Sequence, residues 1–279
     1  IASVKDRIGV AMVEALEAEG RIGPDTVLIE PTSGNTGVGL DMAAAVKGYS
    51  CIFVMRDKVD LDKVALLRAY ARYLKQIRLG FDLSYIAATL VNHADIAKEL
   101  VRLFRTRFYL ARKLSMEDLD DKQQKLEQAI LAALDNVAVL NEDRILRHFV
   151  NAVQAALRTN YFQRDAQGDR KLYVSFKLDS RTVPDLPSPR PMFEIFVYSP
   201  RLEGVHLRGG KVARGGLRWS DRRDDFRTEV LGLVKAQQVK NAVIVPTGSK
   251  GGFFAKQLPD PAQDRDAWMA EGIEAYKVF

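Results

Sequence analysis

The chain has 279 residues, with 42 Lys and Arg against 36 Asp and Glu and a formal net charge of +6. That length holds one large domain or two modest ones, each with a real core. A composition of 47% hydrophobic and 28% charged residues is that of a globular protein, which excludes disorder as the organising state. Cations are spread along the chain. Their densest run, Arg102, Arg105, Arg107, Arg112 and Lys113, carries no aromatic stacking pattern or nucleic-acid motif, so it reads as a solvated helix face. No nucleic-acid partner is expected. A substrate bearing carboxylate or phosphate fits the mild positive excess.

Residues 1 to about 60 alternate α and β. Val4 to Gly20 has helical apolar spacing (Ile8, Met12, Val13, Leu16) and a glycine stop. Thr26 to Glu30 is a short buried-strand pattern, followed by a glycine-containing turn, a small-residue run and a second strand at Cys51 to Met55. Strand, turn, helix, strand predicts a βαβ unit with parallel pairing. From Leu61 to Phe162 the pattern is helical, with long segments at Leu119 to Val139 and Arg144 to Leu157, the latter capped by Asn141-Glu-Asp143. Strands are predicted at Lys171 to Leu178 and Met192 to Tyr198, on either side of the proline-rich loop Val183 to Pro191. A glycine-rich stretch through Gly215-Gly216 leads to a helix over Asp224 to Lys240. The strand Ala242 to Pro246 runs into a glycine loop at 248–252, and a last helix starts at Asp264. The fold class is α/β.

Cys51 is the only cysteine and sits in an apolar run, which predicts a buried structural thiol. His93, His148 and His206 lack ligand spacing, so no metal site is proposed. No apolar stretch approaches the roughly 18 residues of a membrane span, and no secretory segment opens the chain. The expected address is the cytoplasm, with no membrane partner. The chain opens on Ile1 rather than Met, as if a start lay upstream.

Two N-terminal features carry chemistry. Lys5 lies at a helix start. Thr32, Ser33, Gly34, Asn35 and Thr36 join a strand to a helix, where converging N–H groups and hydroxyls favour a carboxylate or phosphate. The wording Ser3-Val-Lys-Asp-Arg-Ile8, Glu30-Pro-Thr-Ser-Gly-Asn-Thr-Gly37 and Lys47-Gly-Tyr49 resembles the cysteine synthase and cystathionine β-synthase family, continuously to about Tyr70. The resemblance implies β-replacement chemistry with pyridoxal phosphate (PLP). Lys5 then matches the Schiff-base lysine, and residues 32–36 match the loop holding the substrate carboxylate. The family's later phosphate loop and its partner for the pyridine nitrogen have no counterpart here, and Arg56 stands where the family shows a proline. The PLP site is incomplete.

The densest chemistry lies between Arg208 and Gly252. Glycine pairs at 209–210, 215–216 and 251–252 allow close backbone approach, and Arg208, Lys211, Arg214, Arg218 and Lys250 flank them. A lysine so placed can act as a base or activate water. Gly209-Gly-Lys-Val-Ala-Arg-Gly-Gly-Leu-Arg-Trp-Ser-Asp221, Thr228 to Gln237, Val239-Lys-Asn-Ala-Val-Ile-Val-Pro246 and Gly248-Ser-Lys-Gly-Gly252 resemble the large bacterial NAD-specific glutamate dehydrogenases. The likeness reaches back through Phe193 to Pro200 and Leu157 to Tyr161 to Ala69-Tyr-Ala-Arg-Tyr-Leu74. It implies oxidative deamination of L-glutamate to 2-oxoglutarate with NAD. Lys250 matches the catalytic lysine, Lys240 a carboxylate-contacting lysine, and Arg214 with Gly215 and Gly216 a substrate-binding motif. The family's catalytic aspartate and dinucleotide-binding domain are expected beyond residue 279. No Gly-x-Gly-x-x-Gly follows a strand in this chain.

Val64-Ala-Leu-Leu-Arg-Ala-Tyr70 fits both families, so the join is expected within 60–71. The expected organisation is a PLP-enzyme fragment over 1–63 and a partial glutamate dehydrogenase over 64–279. The latter comprises a helical segment, 64–162, and a substrate-binding α/β region, 163–279, without its Rossmann domain. Such a chain is expected to be inactive alone, and an oligomer is compatible with it. The alternatives are an incomplete PLP-dependent lyase or transferase, and a non-catalytic binder of acidic metabolites.

Overall fold

The computed structural model describes residues 4–22, 27–30, 50–53, 61–109, 115–240 and 248–279. The chain divides into two compact units, Ile1–Val64 and Ala65–Phe279. In the first, α1 spans Val4–Ala18. It ends where Gly20 takes φ +66°, with Gly20 N–H donating to Glu17 O and Arg21 N–H to Leu16 O, each at 2.9 Å. A left-handed residue reached at no Cβ cost lets the last carbonyls be satisfied. The strands β1 (Val27–Glu30) and β2 (Ser50–Phe53) pair in parallel from Val27↔Ser50 to Glu30↔Phe53, as the strand–turn–helix–strand pattern predicts.

Into the second unit runs α2 (Leu61–Gln76), followed by α3 (Leu83–Asn92), α4 (Ala94–Phe108), α5 (Met116–Leu134) and α6 (Leu140–Ala155). On α2 the residues Leu66, Ala69, Tyr70, Tyr73 and Leu74 recur at helical spacing, and all are buried. Ser115 caps α5 by accepting the Asp118 N–H at 3.1 Å. The predicted cap Asn141-Glu-Asp143 lies inside α6 instead. Its N-cap is Val139, without a side-chain bond, and Glu142 and Asp143 occupy the first turn, where acidic groups favour the helix dipole.

These helices cover one face of a six-stranded sheet ordered β3-β4-β5-β6-β8-β7. The strands are β3 (Ala156–Thr159), β4 (Val174–Asp179), β5 (Phe193–Tyr198), β6 (Leu202–Arg208), β7 (Leu217–Ser220) and β8 (Ser249–Ala255). Pairing is antiparallel from β3 through β8, and β7 adds in parallel to β8. Tyr70 stacks on Phe176 of β4 with centroids 4.4 Å apart, and Tyr73 meets Phe196 of β5 edge-on at 5.5 Å. The mixed architecture is α/β, as expected. Several expectations need correction. Helix α6 stops at Ala155, and residues 156–159 extend into the sheet. Neither β6 nor β7 was predicted, and the glycine loop at 248–252 is largely strand β8. The expected strand at 242–246 lies outside the described residues.

Two buried charge clusters fasten the helices to the sheet. Glu194 on β5 accepts from Arg227, and from the Tyr73 hydroxyl at 3.4 Å, with Arg227 1% and Glu194 0% exposed. Glu203 on β6 accepts from Arg72 at 2.7 Å and Lys256 at 3.3 Å. The helix α7 (Phe226–Lys240) is also tied to the end of α2. Gln76 donates to Arg223 O at 2.9 Å and accepts the Arg227 N–H at 3.3 Å. The basic run is only partly a solvated face. Arg102 pairs with Glu99, whereas Arg107 reaches inward to donate to Gln154 O and Ala156 O at 2.9 and 3.2 Å. Arg112 and Lys113 lie outside the described residues.

Candidate functional site at the β7–β8 edge

The site grows from the parallel register of β7 on β8. Leu217 lies opposite Gly251 and Arg218 opposite Gly252, and the register continues upstream through a bridge of Arg214 with Gly248. Ser249 N–H donates to Arg214 O at 3.2 Å and Gly251 N–H to Gly216 O at 3.1 Å. Because side chains alternate along a strand, residues 214, 216 and 218 share a face with 248, 250 and 252. That is the core face, since Val205 and Leu207, opposite Gly252 and Lys250, are both buried in the main core.

The glycines are dictated by contact. A β-carbon on Gly215 would stand 1.3 Å from Ser249 O, so only glycine lets the two backbones pass. A β-carbon on Gly216 would stand 3.5 Å from Lys250 Nζ, which puts the amine over this residue at the sheet edge. Gly252 makes room for Val230 of α7, whose Cγ2 would lie 2.4 Å from an added β-carbon. At the other end of the helix, Gln237 stands over Gly248, its Oε1 and Cβ 2.9 and 3.0 Å from the corresponding point. The helix thus runs along β8 from Gly252 towards Gly248, with Lys250 between.

The structure therefore brings Arg214, Gly215, Gly216 and Lys250 to one strand edge. Lys240 closes α7 one turn beyond Gln237, and its side chain lies outside the described residues. Sequence reasoning did not single out Gln237, whose buried Oε1 has no hydrogen-bond partner among the described residues. Glu229 was missed as well. It accepts from Arg218 at 2.7 Å and Ser220 at 2.6 Å, and so holds β7 to α7. Burial alone would raise its carboxyl, but the Ser220 and Arg218 bonds outweigh that and keep it below the usual range. On the opposite face, His206 Nε2 lies 3.1 Å from Ser249 Oγ, beside Lys250 in sequence. Burial and the nearby Arg208 hold that imidazole below its ordinary value.

Lys5 lies in α1, with its side chain outside the described residues, as are Thr32, Ser33, Gly34, Asn35 and Thr36 entirely. The described elements of that unit supply no phosphate cradle, so no step through PLP is derived. In the second unit β7, α7 and β8 form a βαβ unit. Its strand-to-helix turn, 221–225, contains no glycine and is held by an Arg222–Asp225 ion pair. A dinucleotide pyrophosphate needs a glycine turn there, so the turn does not fit NAD, and no hydride step is derived.

A family model for the bacterial NAD-glutamate dehydrogenase catalytic domain matches residues 129–279, and one for glutamate dehydrogenase helical motif 3 matches residues 52–110. The chain is 70% identical over 216 residues to the NAD-specific glutamate dehydrogenase of Pseudomonas aeruginosa, covering 77% of this chain and 13% of that protein. It is 58% identical over 221 residues to that of Halomonas elongata, covering 79% of this chain and 13% of that protein. A separate match is 60% identical over 67 residues to the cystathionine beta-synthase of Oryctolagus cuniculus, covering 24% of this chain and 12% of that protein. The chain thus spans about 13% of the dehydrogenases it matches. With the catalytic-domain model covering more than half of it, the chain belongs to the bacterial NAD-glutamate dehydrogenase catalytic-domain family.

Proposed function

We propose that residues 64–279 form the substrate-holding part of a glutamate dehydrogenase acting on L-glutamate and 2-oxoglutarate, with Lys250 as its catalytic lysine. The observation that carries this reading is the Lys250 amine poised over Gly216 on the face that Arg214 shares. In this reading Arg214 and Lys240 take carboxylates, Gly215 and Gly216 keep the edge open, and Lys250 polarises the imine or carbonyl and activates water. The Gln237 oxygen, without a partner among the described residues, offers an acceptor for a substrate N–H. NAD, implied by the relatives' names, is the hydride acceptor of the complete enzyme, and its seat is not assigned to residues of this chain. Calorimetric titration with 2-oxoglutarate tests the reading. Saturable heat should weaken about tenfold or more in Arg214→Ala, a loss of roughly 1.4 kcal/mol. Affinity unchanged from the unaltered chain in both Arg214→Ala and Lys250→Ala would end it.

A second reading takes its support from the 67-residue likeness to cystathionine beta-synthase. Residues 1–63 are then a fragment of a PLP-dependent lyase or transferase, with Lys5 as the Schiff-base lysine and residues 32–36 as the carboxylate loop. The segment 64–70, whose wording fits both families, supports a seam there. An uninterrupted long DNA read across codons 55–80 in the source genome would argue against misassembly of the reading frame. A visible absorbance band on adding PLP, removed by Lys5→Ala, is the test of surviving cofactor chemistry. Binding of 2-oxoglutarate without glutamate-dependent NADH formation corresponds to the third reading, a non-catalytic binder.

A further inference from the structure

The second face of the six-stranded sheet carries charge that the proposed function does not use. Along it Arg158 lies opposite Lys177, Lys177 opposite Ile195, and Ile195 opposite His206. In the next row Asp179 lies opposite Phe193, and Phe193 opposite Arg208. Lys177, Phe193, Ile195, His206 and Arg208 are partly exposed, and the cross-strand register sets them on this face. Helix α8 (Arg265–Val278) and Phe279 cover the adjoining stretch, where Gly204, Phe253 and Trp219 lie, and reach as far as Gly251 and Ile195.

One cation lies on a ring, and the other two occupy neighbouring register positions. Lys177 Nζ stands 3.9 Å from the centroid of Phe193, whose other flank is Arg208. Burial, then the Arg158 and Arg208 guanidiniums, push the Lys177 amine below its ordinary value. Among the described residues none of the three forms an ion pair, and Arg208, whose Nη2 donates to Lys211 O at 3.0 Å, keeps its buried Nε without a hydrogen-bond partner there. Asp179, across from Phe193, is engaged by Arg181 at 2.9 and 2.6 Å. Counting Arg158, Lys177, Arg181 and Arg208 against Asp179, the patch carries four positive charges and one negative.

We infer that Arg158, Lys177 and Arg208, grouped about Phe193, form a binding site for a compact anion of two or more charges. This site is separate from the edge that carries Lys250. A planar guanidinium on either side suits oxyanion geometry, and the ring beneath limits hydration of the amine. Three cations within two adjoining rows of the sheet, rather than along a stripe, favour a small oxyanion over an acidic polypeptide. Phosphates and polycarboxylates share that chemistry.

The test titrates the full chain with pyrophosphate and, separately, with citrate, at constant ionic strength. Saturable binding of either should weaken about tenfold in Lys177→Gln and in Arg208→Gln, and also in Arg158→Gln, an exposed position whose change leaves the core intact. Arg102→Ala, a change at an exposed cation paired with Glu99 on α4, should bind as the unaltered chain does, whether or not the proposed dehydrogenase reading holds. The tighter of the two probes distinguishes a phosphate site from a carboxylate site. The inference is overturned if binding is lost in Lys250→Ala but kept in Lys177→Gln. It is likewise overturned if neither probe saturates, or if only a glutamate-rich peptide binds.

Discussion

On the helix-covered face of the sheet, buried charges meet partners: Glu194 takes Arg227 and Tyr73, and Glu203 takes Arg72 and Lys256. On the other face Arg158, Lys177 and Arg208 stand together with no carboxylate of their own among the described residues. The contrast follows from solvent. A charge taken fully out of water is tolerable only when paired, whereas a half-exposed one keeps enough hydration to remain free for a ligand. Lys250 belongs to the paired face in register, yet its amine reaches over Gly216, just ahead of edge strand β7, and is only partly covered. Its freedom is that of the open face, on a scaffold with the rigidity of the closed one.

The contrast can be broken most forcefully at Glu194. Replacing it with Ala strands Arg227 in the core, and urea unfolding should show a loss of about 3–5 kcal/mol. A loss under about 1 kcal/mol would mean that the pair does not fasten α7 to the sheet. A step smaller is Gly252→Ala, whose new methyl meets Val230; overpacking should cost about 1–3 kcal/mol. Adding Val230→Ala should return part of that, a coupling readable by a double-mutant cycle. On the open side, His206 has a folded-state value held below its ordinary 6.5. The unfolded chain therefore binds the extra proton first. The stability from neutral His206 is complete above about pH 6.5 and declines as pH falls towards the lower folded value. Unfolding midpoints of the unaltered chain and His206→Gln should converge as pH drops from 7 to 5; parallel curves would contradict the burial of this ring. Smallest of all, Arg102→Ala removes an exposed ion pair with Glu99 on α4 and should change stability by less than about 0.5 kcal/mol.

Much of this was legible in the chain. The apolar spacing of α2 and α6, the glycine stop after α1, and the alternation of Val174, Phe176 and Leu178 are local signals, and each gave an element of the expected type. What escaped was non-local. Strand β6 reads as a loop because Gly204 interrupts it, yet that glycine is needed where Phe279 would otherwise collide with a β-carbon at 2.4 Å. Likewise Gly248-Ser-Lys-Gly-Gly252 looks like a turn until Val230, Leu217 and His206 are seen crowding its missing side chains. Glu194 and Arg227 lie 33 residues apart, and no periodicity links them. At the candidate site the motif words drew attention to Arg214 and Lys250. The parallel register that sets 214, 216 and 250 on one face, and the placement of Gln237 over Gly248, come from tertiary packing alone.

The account rests most heavily on Lys250 facing a dicarboxylate at the β7–β8 edge. Amine acetylation of the full chain, read lysine by lysine by mass spectrometry with and without 2-oxoglutarate, tests this most directly. The expected result is protection of Lys250 by 2-oxoglutarate, abolished in Arg214→Ala. Unchanged labelling of Lys250 at saturating ligand would contradict it.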